Sequence, residues 1–263
     1  MKRMNKQSTI LIVLFLISFN FGCHRVRKEV PDSMVTGHAV ITADEAILPL
    51  INAEIDVFQS LYNFASIDCQ YGSEYDAINL LLQQKTRLAL VTRPLNQKEI
   101  EFFKSRDLNS ESIPIGYDAV AIVVHVDNSQ KVLTTVQVSK ILTGELTNWS
   151  QISSSGKEGN IKIVLDTESS GIIRSLNDSL HLNQKIAGVF QFSGSSKNTI
   201  ESVASDPNAI GFIGFNWLSE LENPVVQNDL KRVSFVAVSK GMIVDSTNCY
   251  QPTIANIYNL KYP

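Results

Sequence analysis

The feature that most constrains this chain is an alternation of two periods. Continuous apolar runs, "RLALVT" (87–92), "YDAVAIVVHV" (117–126), "IKIVLD" (161–166) and "AIGFIGF" (209–215), are separated by segments whose apolar residues recur every three or four positions. The first pattern suits a strand buried on both faces; the second suits a helix that buries one side. "GHAVIT" (37–42) and "ASIDCQYG" (65–72) add two shorter strand-like runs. Helical spacing is carried by Ile47, Ile51, Ile55 and Phe58, by Tyr75, Ile78 and Leu82, and by Ile172, Leu176 and Leu180. "NQKEIEFFKS" opens with Asn96 and places Glu99 three residues on, the pattern of a capping box. "TTVQVSKILTGEL" (134–146) reads as a helix stopped near Gly144, and "NTIESVASDP" as one ended by Pro207. This order predicts an α/β fold with mostly parallel sheet. With 263 residues, 44% hydrophobic and 19% charged, the chain can fill one large domain or two modest lobes.

The first 22 residues differ from the rest. Lys2, Arg3 and Lys6 precede an apolar core from Ile10 to Ile17, extended by Phe19 and Phe21, and then Gly22-Cys23. A basic stretch, a short apolar core and a small residue describe a secretory signal. The core is about half of the ~20 residues a membrane span needs. With a cysteine directly after Gly22, residues 1–22 resemble a bacterial lipoprotein signal, which implies Cys23 as the lipidated first mature residue. Asn20 and Phe21 depart from the usual pattern, and a plain signal peptide with an incidental cysteine is the alternative reading. Residues 23–36, polar and containing Pro31, read as a tether.

Without residues 1–22, 20 Lys+Arg face 26 Asp+Glu. Such an acidic chain lacks the basic face that nucleic acid requires. Any anion site must be local, built from backbone amides and a few side chains. His24, His38, His125 and His181 show no metal-ligand spacing, so neither a metal site nor a cofactor is expected. Cys69 and Cys249 read as two separate thiols, although an exported chain permits a disulfide.

In α/β sheets, ligands bind where strands end and helices begin. Four such turns carry polar residues: "TADEA" with Thr42, Ala43, Asp44 and Glu45; "YGSEY" with Gly72 and Ser73; "VTRPL" with Thr92 and Arg93; and "DTESSGIIR" with Ser169, Ser170, Gly171 and Arg174. Pro94 biases Arg93 toward an extended conformation at the strand end. Free amides at a helix start favour an anion, and an arginine can grip two oxygens at once. Taken singly, each turn is an ordinary cap. Four converging turns with an arginine would make a strong oxyanion site. A nucleophilic role for Ser169 or Ser170 lacks an activating base, because His181 lies over two turns beyond Ser170 on the same helix; no catalytic residue is assigned.

"IPIGYDAVAIVVHVDN…LTTVQVSKILTGELTNWSQI" (113–152) resembles the phosphate-binding proteins of high-affinity phosphate ABC importers (PstS-like). "ESVASDPNAIGFIGF" (201–215) is similar to that family's Asp-Pro-x-x-Ile-Gly motif, and "LALVTRPL" to its Ser-Arg-x-Leu strand end, with Thr92 in place of serine. The resemblance implies a two-lobed type II periplasmic-binding-protein fold, with lobe one formed by 37–117 plus about 236–263 and lobe two by 118–235. It implies a monomer that captures phosphate or a similar oxyanion without covalent chemistry, delivers it to an ABC permease, and sits at a membrane through a lipid anchor. Thr42 to Glu45, Gly72-Ser73 and Thr92-Arg93 would line lobe one, and Ser169 to Gly171 lobe two. Asp166 falls where the family has an arginine, Ile172 where it has a threonine, and Arg174 is a candidate replacement for the lost cation. Asp44 and Glu45 stand where glycine and a hydroxyl residue are common; one carboxylate could accept a proton from a protonated oxyanion, while several repel a dianion. "NIYNLKYP" (256–263) resembles a family segment that precedes a further strand and helix of lobe one, so that lobe is expected to be incomplete and to expose apolar surface; the alternative is a naturally short member whose end packs differently. The alternative to a receptor is a sensor or interaction module of the same fold that has lost its ligand.

Overall fold

The structure, a computed structural model, describes residues 31–152, 159–182, 186, 190–219, 224–244 and 247–263. The signal at 1–22, Cys23 and the tether up to residue 30 lie outside the described residues. Among the described residues, no helix is long and apolar enough to cross a membrane.

The first lobe is a parallel three-stranded sheet with β1 (Thr36–Asp44) between β2 (Phe64–Gly72) and β3 (Ala89–Leu90). β1 and β2 pair in register over their full length, from Thr36 opposite Phe64 to Asp44 opposite Gly72. Both strands therefore end at one level, which sets the first two polar turns side by side. β3 pairs with β1 only at Thr42 and Ala43, so "RLALVT" forms two ladder residues where its pattern predicts six. β1 stops at Asp44, where a 3-10 turn (Glu45–Ile47) begins, so Thr92 has no strand residue opposite it. Helices α1 (Leu48–Leu61), α2 (Glu74–Leu82) and α3 (Gln97–Lys104) follow the strands. α2 and α3 start with the reciprocal capping boxes Ser73/Asp76 and Asn96/Glu99. The core of this lobe is small: Ala43, Ile47 and Ile51 are buried, with Ile55, Cys69, Tyr71 and Leu90 against them. Val57, Leu61, Phe64, Leu88, Ile113, Ile115 and Tyr117 are exposed.

The second lobe is larger. Its main sheet runs β7 (Phe190–Phe192), β6 (Lys162–Leu165), β8 (Ala209–Gly214), β4 (Val120–His125), β9 (Val233–Phe235). β6 is parallel to β7 and β8, whereas β4 is antiparallel to β8 and β9. One apolar cluster unites β4, β6 and β8 with α4 (Thr135–Leu142) and α5 (Gly171–Leu180) around the fully buried Trp149. The other packs α6 (Ser196–Ser205) and α7 (Pro224–Leu230) on the opposite residues of the same strands, through Ile200, Val203 and Val226.

The C-terminal residues join this second lobe rather than lobe one. β10 (Ala237–Ser239) pairs in parallel with β5 (Val132–Thr134) and antiparallel with β11 (Cys249–Tyr250). After α8 (Ile254–Tyr258), the Tyr262 hydroxyl donates to Val120 O at 3.2 Å, and Tyr262 is buried in the Trp149 cluster. This placement of 236–263 differs from the one the resemblance implies. A three-residue strand of type Ala-Val-Ser carries no mark of which sheet it will join; that is decided by the partner strand. Cys69, in lobe one, and Cys249, in lobe two, are free thiols.

The lobes touch through Ala46, which belongs to the Trp149 cluster, and Leu48, which packs against the α6 cluster. Asn216 Nδ2 ties the junction by donating to Ala46 O at 2.8 Å and to Asp118 Oδ2 at 2.7 Å.

Candidate functional site

The four polar turns meet between the lobes, but their side chains divide into three uses. Several are spent on local structure. Thr42 is buried and its hydroxyl donates to Gln70 O at 2.9 Å, joining β1 to β2. Ala43 is fully buried in the lobe-one core. The Ser73 hydroxyl is committed to Asp76 at 2.6 Å as the α2 cap, and a Cβ on the neighbouring Gly72 would meet Asp76 Cβ at 3.3 Å. Ser170 caps α5 by accepting from Ile173 N at 3.4 Å, while Ser169 is exposed one residue earlier.

A second group converges across the cleft on Glu74, the first residue of α2. Arg174 Nε donates to Glu74 Oε1 at 2.9 Å and Arg174 Nη2 to Oε2 at 3.0 Å. The Thr92 hydroxyl donates to Oε2 at 2.6 Å, and Arg93 Nε stands 3.3 Å from Oε1. Arg174 also donates to Thr92 O at 3.0 Å and pairs with Asp178 at 3.1 Å. Arg93 is held as well by a bidentate pair with Glu99, both distances 2.8 Å. Burial alone would raise the Glu74 carboxyl, but its bonds to Arg174 and Thr92 and the Arg93 charge hold it below its ordinary value.

The third group is acidic and tightly enclosed. Glu45 reaches from lobe one to the start of α6, where Ser196 N donates to its oxygens at 3.1 and 3.2 Å and Ser196 Oγ at 3.0 Å. A carboxylate at a helix N-terminus meets free amides and the positive end of the dipole. Asp44 Oδ1 accepts from Ala46 N at 3.1 Å. Among the described residues, Asp44 Oδ2 and Asp166 Oδ1 are buried without a hydrogen-bond partner. Burial pushes Asp44 up to about 7, against the Ala46 amide and helped by the charges of Glu74, Asp166 and Glu45. Burial likewise raises Glu45 to about 7 against its bonds to Ser196, and raises Asp166 against its bond to Ser170. Among the described residues no group of His, Cys, Asp and Glu is arranged to hold a metal ion.

Gly171, the first residue of α5, lies directly against lobe one. A Cβ there would lie 2.3 Å from Thr92 Oγ1, 2.6 Å from Asp44 Oδ2 and 3.0 Å from Glu74 Oε2. Gly171→Val should therefore act as a wedge: overpacking typically costs about 1–3 kcal/mol, here charged to the closed arrangement. Small-angle scattering should show a larger radius of gyration for the variant with an unchanged helical content; an unchanged radius would contradict tight closure at this residue.

Of the residues that the sequence nominates for ligand binding, Arg93, Arg174, Thr92, Asp44, Glu45 and Gly171 lie together at or beside the interlobe contact. Their partners Glu74, Ser196 and Glu99 were not nominated from the sequence. Glu74 follows the cap Ser73, where an acid is ordinary because it complements the helix dipole; nothing local shows that it faces another lobe.

Comparison with known proteins agrees with this architecture. A family model described as a PBP superfamily domain matches residues 30–263. The SphX protein of Synechococcus elongatus is 23% identical over 230 residues, covering 85% of this chain and 65% of its own length. The phosphate-binding protein PstS of Borreliella burgdorferi is 23% identical over 265 residues, covering 98% of this chain and 84% of its own. The chain thus spans just under two thirds of SphX but most of PstS. Among solved structures, a Clostridium perfringens protein described as a phosphate ABC transporter substrate-binding protein superposes with a TM-score of 0.69 at 24% identity, over 86% of this chain and 82% of that one. With its two α/β lobes meeting at polar strand-to-helix turns, and with its similarity to PstS proteins, the chain belongs to the PBP superfamily.

Proposed function

We propose that this protein is an extracytoplasmic solute-binding protein, acting as a monomer, that captures phosphate or a related small oxyanion between its lobes for an ABC importer. The same reading places it at a membrane through lipid on Cys23. The observation that carries it is the convergence of donors on one point of the cleft: Arg174 Nε and Nη2, the Thr92 hydroxyl and Arg93 Nε all face one anion beside the first residue of α5. Charge-assisted bonds of this kind are worth about 1.5–3 kcal/mol each, more than the helix dipole alone supplies. The names of its relatives point the same way: PstS is a phosphate-binding protein, and the Clostridium perfringens structure holds phosphate. Binding needs only lobe closure; the Ser170 hydroxyl caps α5 and bonds to Asp166.

One observation favours a second reading, a sensor or interaction module that has lost its ligand. The donors are already engaged by the chain's own Glu74, and Asp44 and Asp166 crowd the same contact.

Calorimetry separates the two. Phosphate, sulfate and methylphosphonate titrated into the mature chain should give heat with one oxyanion, lost in Arg93→Ala. No heat with any of the three, in the native chain or in a variant with an unblocked cleft, would rule out the receptor reading.

A further inference from the structure

We propose that Glu74 is an affinity-setting residue: an internal carboxylate that takes the place of an oxyanion ligand and latches the two lobes together when no ligand is bound. This rests on the oxyanion reading for the nature of the competing ligand, but the latch itself is a statement about contacts within this chain.

Glu74 is 5% exposed. It is surrounded by what an oxyanion site requires: two guanidinium donors from Arg174, the Thr92 hydroxyl, and the Arg93 Nε. One of its oxygens lies within 3.0 Å of where a side chain on Gly171 would begin, beside the N-terminus of α5. Arg174 is on lobe two, whereas Glu74, Thr92 and Arg93 are on lobe one, so the ion pair closes the cleft rather than bracing one lobe. A second contact repeats the arrangement. Glu45, also from lobe one, sits on the amide and hydroxyl of Ser196 at the start of α6. Two lobe-two helices thus present their N-termini to lobe-one carboxylates. Free oxyanion can reach Arg174 only by displacing Glu74, and the apparent Kd rises as the inverse of the fraction of molecules that are unlatched.

The test uses the full mature chain and two variants, Glu74→Gln and Arg174→Gln, each checked for native circular dichroism. Small-angle scattering without added anion reads the latch. Both variants should have a larger radius of gyration than the native chain, and the exposed edge of Arg174 makes Arg174→Gln the safer variant if Glu74→Gln folds poorly. Calorimetry with inorganic phosphate reads the competition. Glu74→Gln should bind about tenfold or more tightly than the native chain, as expected if at least nine molecules in ten are latched, whereas Arg174→Gln should lose binding. If neither variant opens, or if Glu74→Gln opens but binds phosphate more weakly than the native chain, the proposal is overturned. Opening in both variants with no phosphate heat in any of the three proteins would support the latch and reject the oxyanion reading, so the two failures are distinguishable.

Discussion

Trp149→Ala should lower stability by about 3–5 kcal/mol, the usual cost of removing a large buried aromatic ring. The ring is fully buried in the cluster that also holds Ile141, Leu142, Leu165 and Phe212, and its indole N–H donates to Asn208 O at 3.0 Å. The substitution leaves both a cavity and a carbonyl that has lost its donor, so the two costs add. Ordinary domains have only about 5–15 kcal/mol in total, and much of the second lobe should become unfolded at moderate temperature. Thermal denaturation followed by circular dichroism measures this directly. Trp149→Phe, which keeps the volume approximately and loses the indole donor, should fall between the two. A drop below about 1 kcal/mol for the alanine variant would show that this cluster is not the organising core.

The stability of the protein should rise as the solution is acidified from neutral to about pH 5. Asp44 and Glu45 have folded-state pKa values near 7, against ordinary values of 3.8 and 4.5. Between those limits the folded protein holds protons that the unfolded chain has released, so stability falls as pH rises through the window. Each fully shifted group contributes up to about 1.4 kcal/mol per pH unit. Among the described residues, the charged groups that act on Asp44 are Glu45, Glu74 and Asp166, all acidic, and all of them raise its pKa. Glu74 and Glu99 act in the opposite sense: their lowered values contribute stability above the ordinary 4.5 that is lost as pH falls further. An optimum near pH 5 follows from the two opposing trends. Asp44→Asn should flatten the decline between pH 5 and 7.5 and raise the melting temperature at the upper end. A melting temperature indifferent to pH, or equally sloped in native and variant protein, would contradict the assignment of that burial cost to Asp44.

The same enclosure bears on the proposed oxyanion site. Among the described residues, Asp44 and Asp166 each bring a buried oxygen without a donor to the contact between the lobes. A ligand that carries its own proton would satisfy one of them, whereas a fully ionised dianion would meet repulsion from both. Proton uptake is then expected to accompany closure, whether the anion in the cleft is a ligand or Glu74.

The order of strands and helices was legible from the chain because each period reports burial locally. β4, β6 and β8 are continuous apolar runs buried on both faces, and α5 was read at its full span from Ile172, Leu176 and Leu180 and the cap Ser170. The caps were legible for the same reason: Ser73 and Asn96 act within four residues of themselves. The arginines Arg93 and Arg174 could be nominated, since a cation at a strand end or first helical turn has a short list of uses. What their charge meets was not legible. Glu74 is separated from Arg174 by one hundred positions, and no periodicity ties the two together. The destination of β10 and Tyr262 was equally hidden, because a short strand pairs with whichever edge the folded sheet offers. The sequence by itself determined the elements, their caps and the cluster of polar turns, all of which follow from interactions within a few residues. Only the tertiary structure decided that residues 237–262 pack with lobe two and that Arg174, Thr92 and Arg93 meet a carboxylate of the chain itself, because both depend on contacts between segments that the sequence does not relate.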